Sequence, residues 1–303
     1  MKLRTLACTI HSLFFVVFCL IGACGVAPAP SEKPTAEIPS APALPSVAPA
    51  SNATGSDSIF MGNEYSQNNM DGSPTGGERF MFADWSNGNP FDARWQTDNT
   101  EFSSNGILSL ILDTNGCPTA CDGHPYASAE MRTQNETFGF GMYEVRMKAA
   151  KGSGLVTSFF TYRGTHGKAD HDEIDFEVLG KDTSKVQINY YVEGQGGHEY
   201  MVDLGFDAST DFHNYGLSLT PEKLTWYVDG KEVNSVSENP STPKHELPYR
   251  PAKIMINLWP GISVDGWLGP FTYHGQPVTA EYDWIRWSQN NEKTASPVAE
   301  APR

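Results

Sequence analysis

Residues 173 to 178 read Glu-Ile-Asp-Phe-Glu-Val, a strict alternation of acid and apolar side chains. Successive side chains of an extended strand point to opposite faces, so Glu173, Asp175 and Glu177 share one face and Ile174, Phe176 and Val178 the other. The apolar face calls for a core, and the acidic face must meet water or a ligand. Neighbouring acids in such a row stand about 6.6 Å apart at Cα, and like charges at that spacing are destabilising unless one carboxyl keeps its proton.

Other runs of alternating, β-branched or aromatic character recur with turn signals between them: Ile107 to Leu112, Met142 to Met147, Leu155 to Tyr162, Val186 to Val192, Leu224 to Val228, Ile254 to Leu258 and Glu281 to Trp287. Asp229-Gly230 between Trp226-Tyr-Val and Lys231-Glu-Val predicts a two-residue hairpin. No stretch sustains a helical period, so the expected architecture is all-β, a two-sheet sandwich. Acids outnumber bases 36 to 21, a formal charge of -15, which excludes a nucleic-acid partner. The 16 Phe, 12 Tyr and 7 Trp, with 28 Gly, suit a surface that meets flat, uncharged ligands such as sugars.

The chain begins Met-Lys-Leu-Arg and continues in an apolar run from Leu6 to Ala23, the pattern of an export signal over residues 1–23. Leu20-Ile-Gly-Ala-Cys24 resembles a bacterial lipobox, which makes Cys24 the expected lipidation site and a membrane the expected anchor. An ordinary cleaved signal or an uncleaved anchor helix is the alternative. Residues 24–77 form a linker, Pro-, Ala- and Ser-rich in its first part, and prolines at this density favour extended tethers. One domain is expected over residues 78–289, followed by a polar tail over 290–303, and the protein is expected to be a monomer. Cys117 and Cys121 sit in a turn-like Gly-Cys-Pro-Thr-Ala-Cys-Asp-Gly context, and after export they predict a local disulfide; a zinc pair is the rival reading.

The acidic row carries the chemistry. A protonated acid beside an ionised one is the division of labour in a retaining glycosidase, where one carboxylate attacks the anomeric carbon and the other group protonates the leaving oxygen. Glu173 and Glu177 are about 13 Å apart at Cα on a flat strand, but long side chains on a concave sheet can lean together. Asp175 stands between them, placed to hydrogen-bond the nucleophile. A solvated acidic strand face would give the same pattern.

At this segment the chain resembles glycoside hydrolase family 16, whose signature is Glu-hydrophobic-Asp-hydrophobic-Glu. The blocks Gly196-Gly-His-Glu199, Leu204-Gly-Phe-Asp-Ala-Ser209, Trp226-Tyr-Val-Asp-Gly230, Met255-Ile-Asn-Leu-Trp259 and Glu281-Tyr-Asp-Trp284 extend the likeness to the bacterial lichenases. The resemblance implies a β-jelly-roll with a cleft across its concave sheet. It also implies retaining endo-hydrolysis of mixed-linkage β-1,3-1,4-glucan without a catalytic cofactor. By the same resemblance Glu173 is the nucleophile, Asp175 the helper and Glu177 the acid/base. Asn87, Glu130, Arg132, Phe160, Tyr162, His171, Asn189, Tyr191, Asn257 and Trp259 fall at sugar-binding positions. For Glu130 and Arg132 a surface salt bridge is the alternative. The backbone of Gly106 and the side chain of Asp283 correspond to ligands of a structural calcium.

Two departures stand out. A disulfide of bacillar lichenases would join the positions held here by Ala93 and Ser128, and Cys117 with Cys121 is the candidate substitute. Where lichenases carry Trp before Asp-Glu-Ile-Asp, this chain has His171, as in xyloglucan transglycosylases and exopolysaccharide depolymerases, which are therefore the alternative activities. A glycan-binding lipoprotein without turnover, and a metal site built from His166, Asp170, His171 and Asp172, are the readings from other classes.

Overall fold

The alternation in residues 173–178 recurs along most of the chain, and it builds strands. In the computed structural model, which describes residues 80–289, the chain runs through fifteen strands, a 3-10 turn at Thr97–Asn99 and one turn of α-helix. The export segment, Cys24, the linker and the tail lie outside the described residues. Four strands come first: β1 (Phe80–Phe82), β2 (Ala93–Trp95), β3 (Thr100–Phe102) and β4 (Leu108–Leu112). The central group is β5 (Tyr126–Thr133), β6 (Gly141–Lys148), β7 (Leu155–Arg163), β8 (Asp172–Leu179), β9 (Lys185–Tyr191) and β10 (Tyr200–Asp203). Then follow β11 (His213–Leu219), β12 (Lys223–Val228), β13 (Lys231–Ser237), β14 (Lys253–Pro260), the helical turn α1 (Asp265–Leu268) and β15 (Val278–Gln289).

These strands form two sheets. One has the order β1-β5-β14-β7-β8-β9-β10, with β2 added parallel to β5; the other has the order β13-β12-β11-β6-β15-β4-β3. The expected jelly-roll sandwich is thus the observed fold. Each run singled out in the sequence is a strand, with its ends at most three residues from those predicted. At the predicted hairpin Asp229 and Gly230 both take positive φ, 47° and 76°, which fits a type I′ turn joining β12 to β13.

Between the sheets Ile174, Phe176 and Val178 of β8 are buried with Phe159, Ile188 and Ile256 from their own sheet. From the other sheet come Val145, Tyr215, Leu217, Trp226 and Tyr282. Two polar groups of this core reach across it, one to β8, which carries the acids, and one to its neighbour β7. Trp226 Nε1 donates to the backbone oxygen of Asp175 at 3.2 Å, and the Tyr282 hydroxyl donates to the Ser158 backbone oxygen at 2.9 Å. Buried donors need partners, so each bond ties the position of one sheet to the other. Cys117 and Cys121 form the predicted disulfide in the connection before β5. Ala93 and Ser128 lie buried on the adjacent strands β2 and β5, with Trp95 opposite Ser128.

Candidate active site

Strand register decides which side chains share the outer face of the first sheet. Opposite Glu173 stand Tyr162 on β7 and Tyr191 on β9; opposite Asp175 stand Phe160 and Asn189; opposite Glu177 stand Ser158 and Gln187. The rows continue through β14 and β5, where Met255 and Arg132 extend the Asp175 row and Asn257 and Glu130 the Glu177 row. Residues from five strands, some more than a hundred positions apart, therefore form one surface with the three acids at its middle. Eight of the predicted sugar-binding residues lie on this face: Glu130, Arg132, Phe160, Tyr162, Asn189, Tyr191, Asn257 and Trp259. Asn87 lies off the rows, in the loop after β1, close in sequence to Trp85, whose ring carries the Arg132 guanidinium at 4.1 Å.

The acids have unequal surroundings. Burial raises the Glu177 carboxyl to about 8, with the charge of Glu173 adding to the effect and a hydrogen bond from Gln187 Nε2 at 3.1 Å opposing it. Asp175, 4% exposed, is raised well above the usual carboxylate range by burial first and then by Glu173 and Glu177 on either side. It also shares a side-chain hydrogen bond with Glu173. Both shifts favour the protonated form, which lessens the repulsion that a row of three anions would suffer. Gln187 is itself oriented by Trp267 on α1, whose Nε1 donates to Gln187 Oε1 at 2.9 Å.

Glu130 is not in a surface salt bridge. It is buried, its carboxyl is raised to about 7 by that burial, and it accepts a bond from Asn257 Nδ2 at 3.2 Å, which opposes the rise. Asn257 in turn accepts from the Ser158 hydroxyl. At the end of the face, Trp259 is only 3% exposed, packed against Phe91 and Trp267 at centroid distances of 4.5 and 5.9 Å. The partly exposed indole there belongs to Trp267, which the sequence reading missed along with Gln187. Gln187 was findable, because it has the parity of Asn189 and Tyr191 on one strand.

His171 corrects an expectation. Its position in the motif predicts a sugar contact in place of a stacking Trp, but its side chain is completely buried, with Tyr162, Tyr191 and His166 packed around the ring at centroid distances of 4.9 to 5.0 Å. Its Nε2 lies 2.6 Å from Glu173 Oε2. It therefore touches the carboxylate, with no ring face left for a sugar.

The metal reading also changes. Asp172 is held by Arg250, with Nε and Nη2 at 2.8 and 2.6 Å from its two oxygens. Burial alone would raise its carboxyl, but Arg250 and the Glu193 N–H outweigh that and hold it below the usual range. Asp170 accepts from the Thr165 N–H. Among the described residues the group that could hold an ion is instead His166, His171 and Glu173, with ligand atoms within 4.8 Å of one another. Metal binding through His171 Nε2 would require a proton on Nδ1, yet Nδ1 already faces the Gly167 N–H at 3.3 Å. The arrangement fits a hydrogen-bond network and not a metal centre. On the far sheet, Asp283 sits at a bulge of β15 and its carboxylate is bound by Arg146. That bond takes Oδ2, one of the two carboxylate oxygens of Asp283.

Comparison with known proteins agrees with this geometry. Residues 87–286 match the model of Glycosyl hydrolases family 16. The chain belongs to glycosyl hydrolase family 16. It is 48% identical over 217 residues to a beta-glucanase of Acetivibrio thermocellus, an alignment covering 71% of this chain and 60% of that protein. To a beta-glucanase of Paenibacillus polymyxa it is 45% identical over 207 residues, covering 68% and 80%. The crystal structure of a prokaryotic beta-1,3-1,4-glucanase (lichenase) derived from a mouse hindgut metagenome superposes with a TM-score of 0.64 at 42% identity, covering 77% of this chain and all of that one. This family 16 chain is therefore a glycoside hydrolase of the lichenase branch, and the three acids of β8 are its candidate catalytic residues.

Proposed function

We propose that the protein is a retaining endo-β-glucanase that cleaves mixed-linkage β-1,3-1,4-glucan by double displacement. The observation that carries the reading is the unequal surroundings of two glutamates on one strand row: burial and the charge of Glu173 push the Glu177 carboxyl up to about 8, while Glu173 is hydrogen-bonded by Asp175 and lies 2.6 Å from His171 Nε2. In the first step a Glu173 oxygen bonds to the anomeric carbon as the glycosidic C–O bond breaks, and the Glu177 proton passes to the leaving oxygen. Glu177, now ionised, takes a proton from water, whose oxygen displaces Glu173 and restores the original configuration. Asp175, protonated between them, donates to Glu173 and limits the negative charge of the row. Aromatic side chains on the same face offer platforms for the apolar faces of sugar rings. The relatives' names, beta-glucanase and lichenase, favour the mixed-linkage substrate.

Product analysis on barley glucan, laminarin, xyloglucan and succinoglycan tests the assignment. Oligosaccharides released with β configuration from barley glucan, and little from the other three, are expected. Preferred cleavage of any of the others would overturn the substrate.

The enzyme is further proposed to act as a monomer, exported and held at a membrane by lipid on Cys24; the export and the anchor are supported by residues 1–24 alone. Cys24→Ser should then leave an unprocessed precursor without lipid label. Wild-type enzyme free in the culture medium would remove the anchor from the proposal.

A further inference from the structure

We infer that His171 is a positioning residue for the nucleophile, a tautomer-locked donor that fixes the Glu173 carboxylate. The inference rests on the proposed roles of Glu173 and Glu177 and adds a residue to them. Its first support is the backbone around the imidazole. The His171 N–H donates to the Lys168 oxygen at 2.9 Å, and the His171 oxygen accepts from the Gly194 N–H at 2.8 Å. Two glycines let these segments close so tightly. At Gly164, φ 77°, a Cβ would lie 2.1 Å from the Asp170 backbone oxygen, and at Gly194, φ 79°, one would lie 2.5 Å from that of Lys168. Neither position accepts a side chain without moving the loop.

The second support is the ring. It is fully buried, with Tyr162, His166 and Tyr191 packed around it, so it has no room to flip. The backbone N–H of Gly167 points at Nδ1, which must therefore be the bare, accepting nitrogen. A neutral imidazole has one N–H, and that places it on Nε2, 2.6 Å from Glu173 Oε2. The bond is charge-assisted when Glu173 is ionised, and it holds the carboxylate in one orientation on the open face. Indole, at the position where lichenases carry it, has no second ring nitrogen to accept from Gly167.

Three measurements on the full-length protein test this. In 15N-labelled wild-type enzyme at neutral pH, the His171 signals, assigned by their loss in His171→Gln, should show a protonated Nε2 and an unprotonated Nδ1. The opposite tautomer, or protons on both nitrogens, would overturn the inference whether or not any glucan is cleaved. His171→Phe keeps ring volume but removes the donor, and it should lower kcat about 10- to 100-fold with KM within about twofold. His171→Gln, whose amide carries an acceptor and a donor at the spacing of the two ring nitrogens, should recover most of that loss. Wild-type kcat in the Phe variant, a loss confined to KM, or a Gln variant as slow as Phe would each refute a positioning role. The kinetic ratios are read on whichever β-glucan the wild-type enzyme cleaves, so a wrong substrate assignment would not be mistaken for a wrong role. Should the Phe variant fail to fold, the tautomer and the Gln variant still decide the matter.

Discussion

At the scale of single residues, the division of labour between Glu173 and Glu177 has a stereochemical signature. Glu173→Ala should abolish hydrolysis, yet with azide and an activated glucoside it should yield an α-glycosyl azide, because the anion enters from the vacated nucleophile side. With Glu177→Ala the azide product should keep the β configuration. Product NMR that shows the opposite pairing would exchange the roles. Gln187 offers a second handle, since its hydrogen bond favours the ionised form of Glu177 and opposes a rise caused by burial. Gln187→Leu should therefore move the basic limb of the rate profile, expected near pH 8 in the wild type, to higher pH. A limb that stays put or falls would mean that another group governs it. The acids and most of the surrounding face were legible from period-2 parity and the family motif. His171 was misassigned because parity says which face a side chain takes but not whether neighbours bury it. Here Tyr162 and Tyr191, on the flanking strands, close over it.

At the scale of elements, strand β8 is anchored at its start by Asp172, which is 1% exposed and paired with an arginine 78 residues away. Nothing in the sequence links the two, since an ion pair between a strand and a distant loop leaves no periodic trace. Arg250→Met should leave a buried carboxylate short of its main partner and cost about 3 to 5 kcal/mol at neutral pH. The carboxyl is held low in the folded protein, so its contribution is present above the ordinary carboxylate range and disappears as pH falls through the folded value. The gap between variant and wild type, measured by urea unfolding, should accordingly narrow in acid; a gap independent of pH would assign the loss to packing instead. Strand β5 shows a different limit of sequence reading. Tyr-Ala-Ser-Ala-Glu-Met-Arg-Thr is poor in β-branched residues, so it gave no strand signal of its own although it forms one side of the acidic face.

At the scale of the whole molecule, the all-β class followed from alternation, but the order of strands within each sheet did not. Strand β14 lies between β5 and β7, so the surface holding Glu130, Asn257 and Ser158 exists only when segments from opposite ends of the domain have met. The hydrogen bond from Asn257 to Glu130 spans 127 positions of sequence, and the one from Tyr282 to Ser158 spans 124. Contacts of such separation must overcome loop-closure entropy before they stabilise anything, which makes folding slow, on the order of milliseconds to seconds. Insertion of β14 thus completes the core and the working face together. After dilution from urea, tryptophan burial and glucanase activity should return at one common rate, and fluorescence recovering well ahead of activity would contradict this. A chain arranged in this way has no partly folded form that is already an enzyme, so the rate at which two distant strands find each other is also the rate at which catalysis begins.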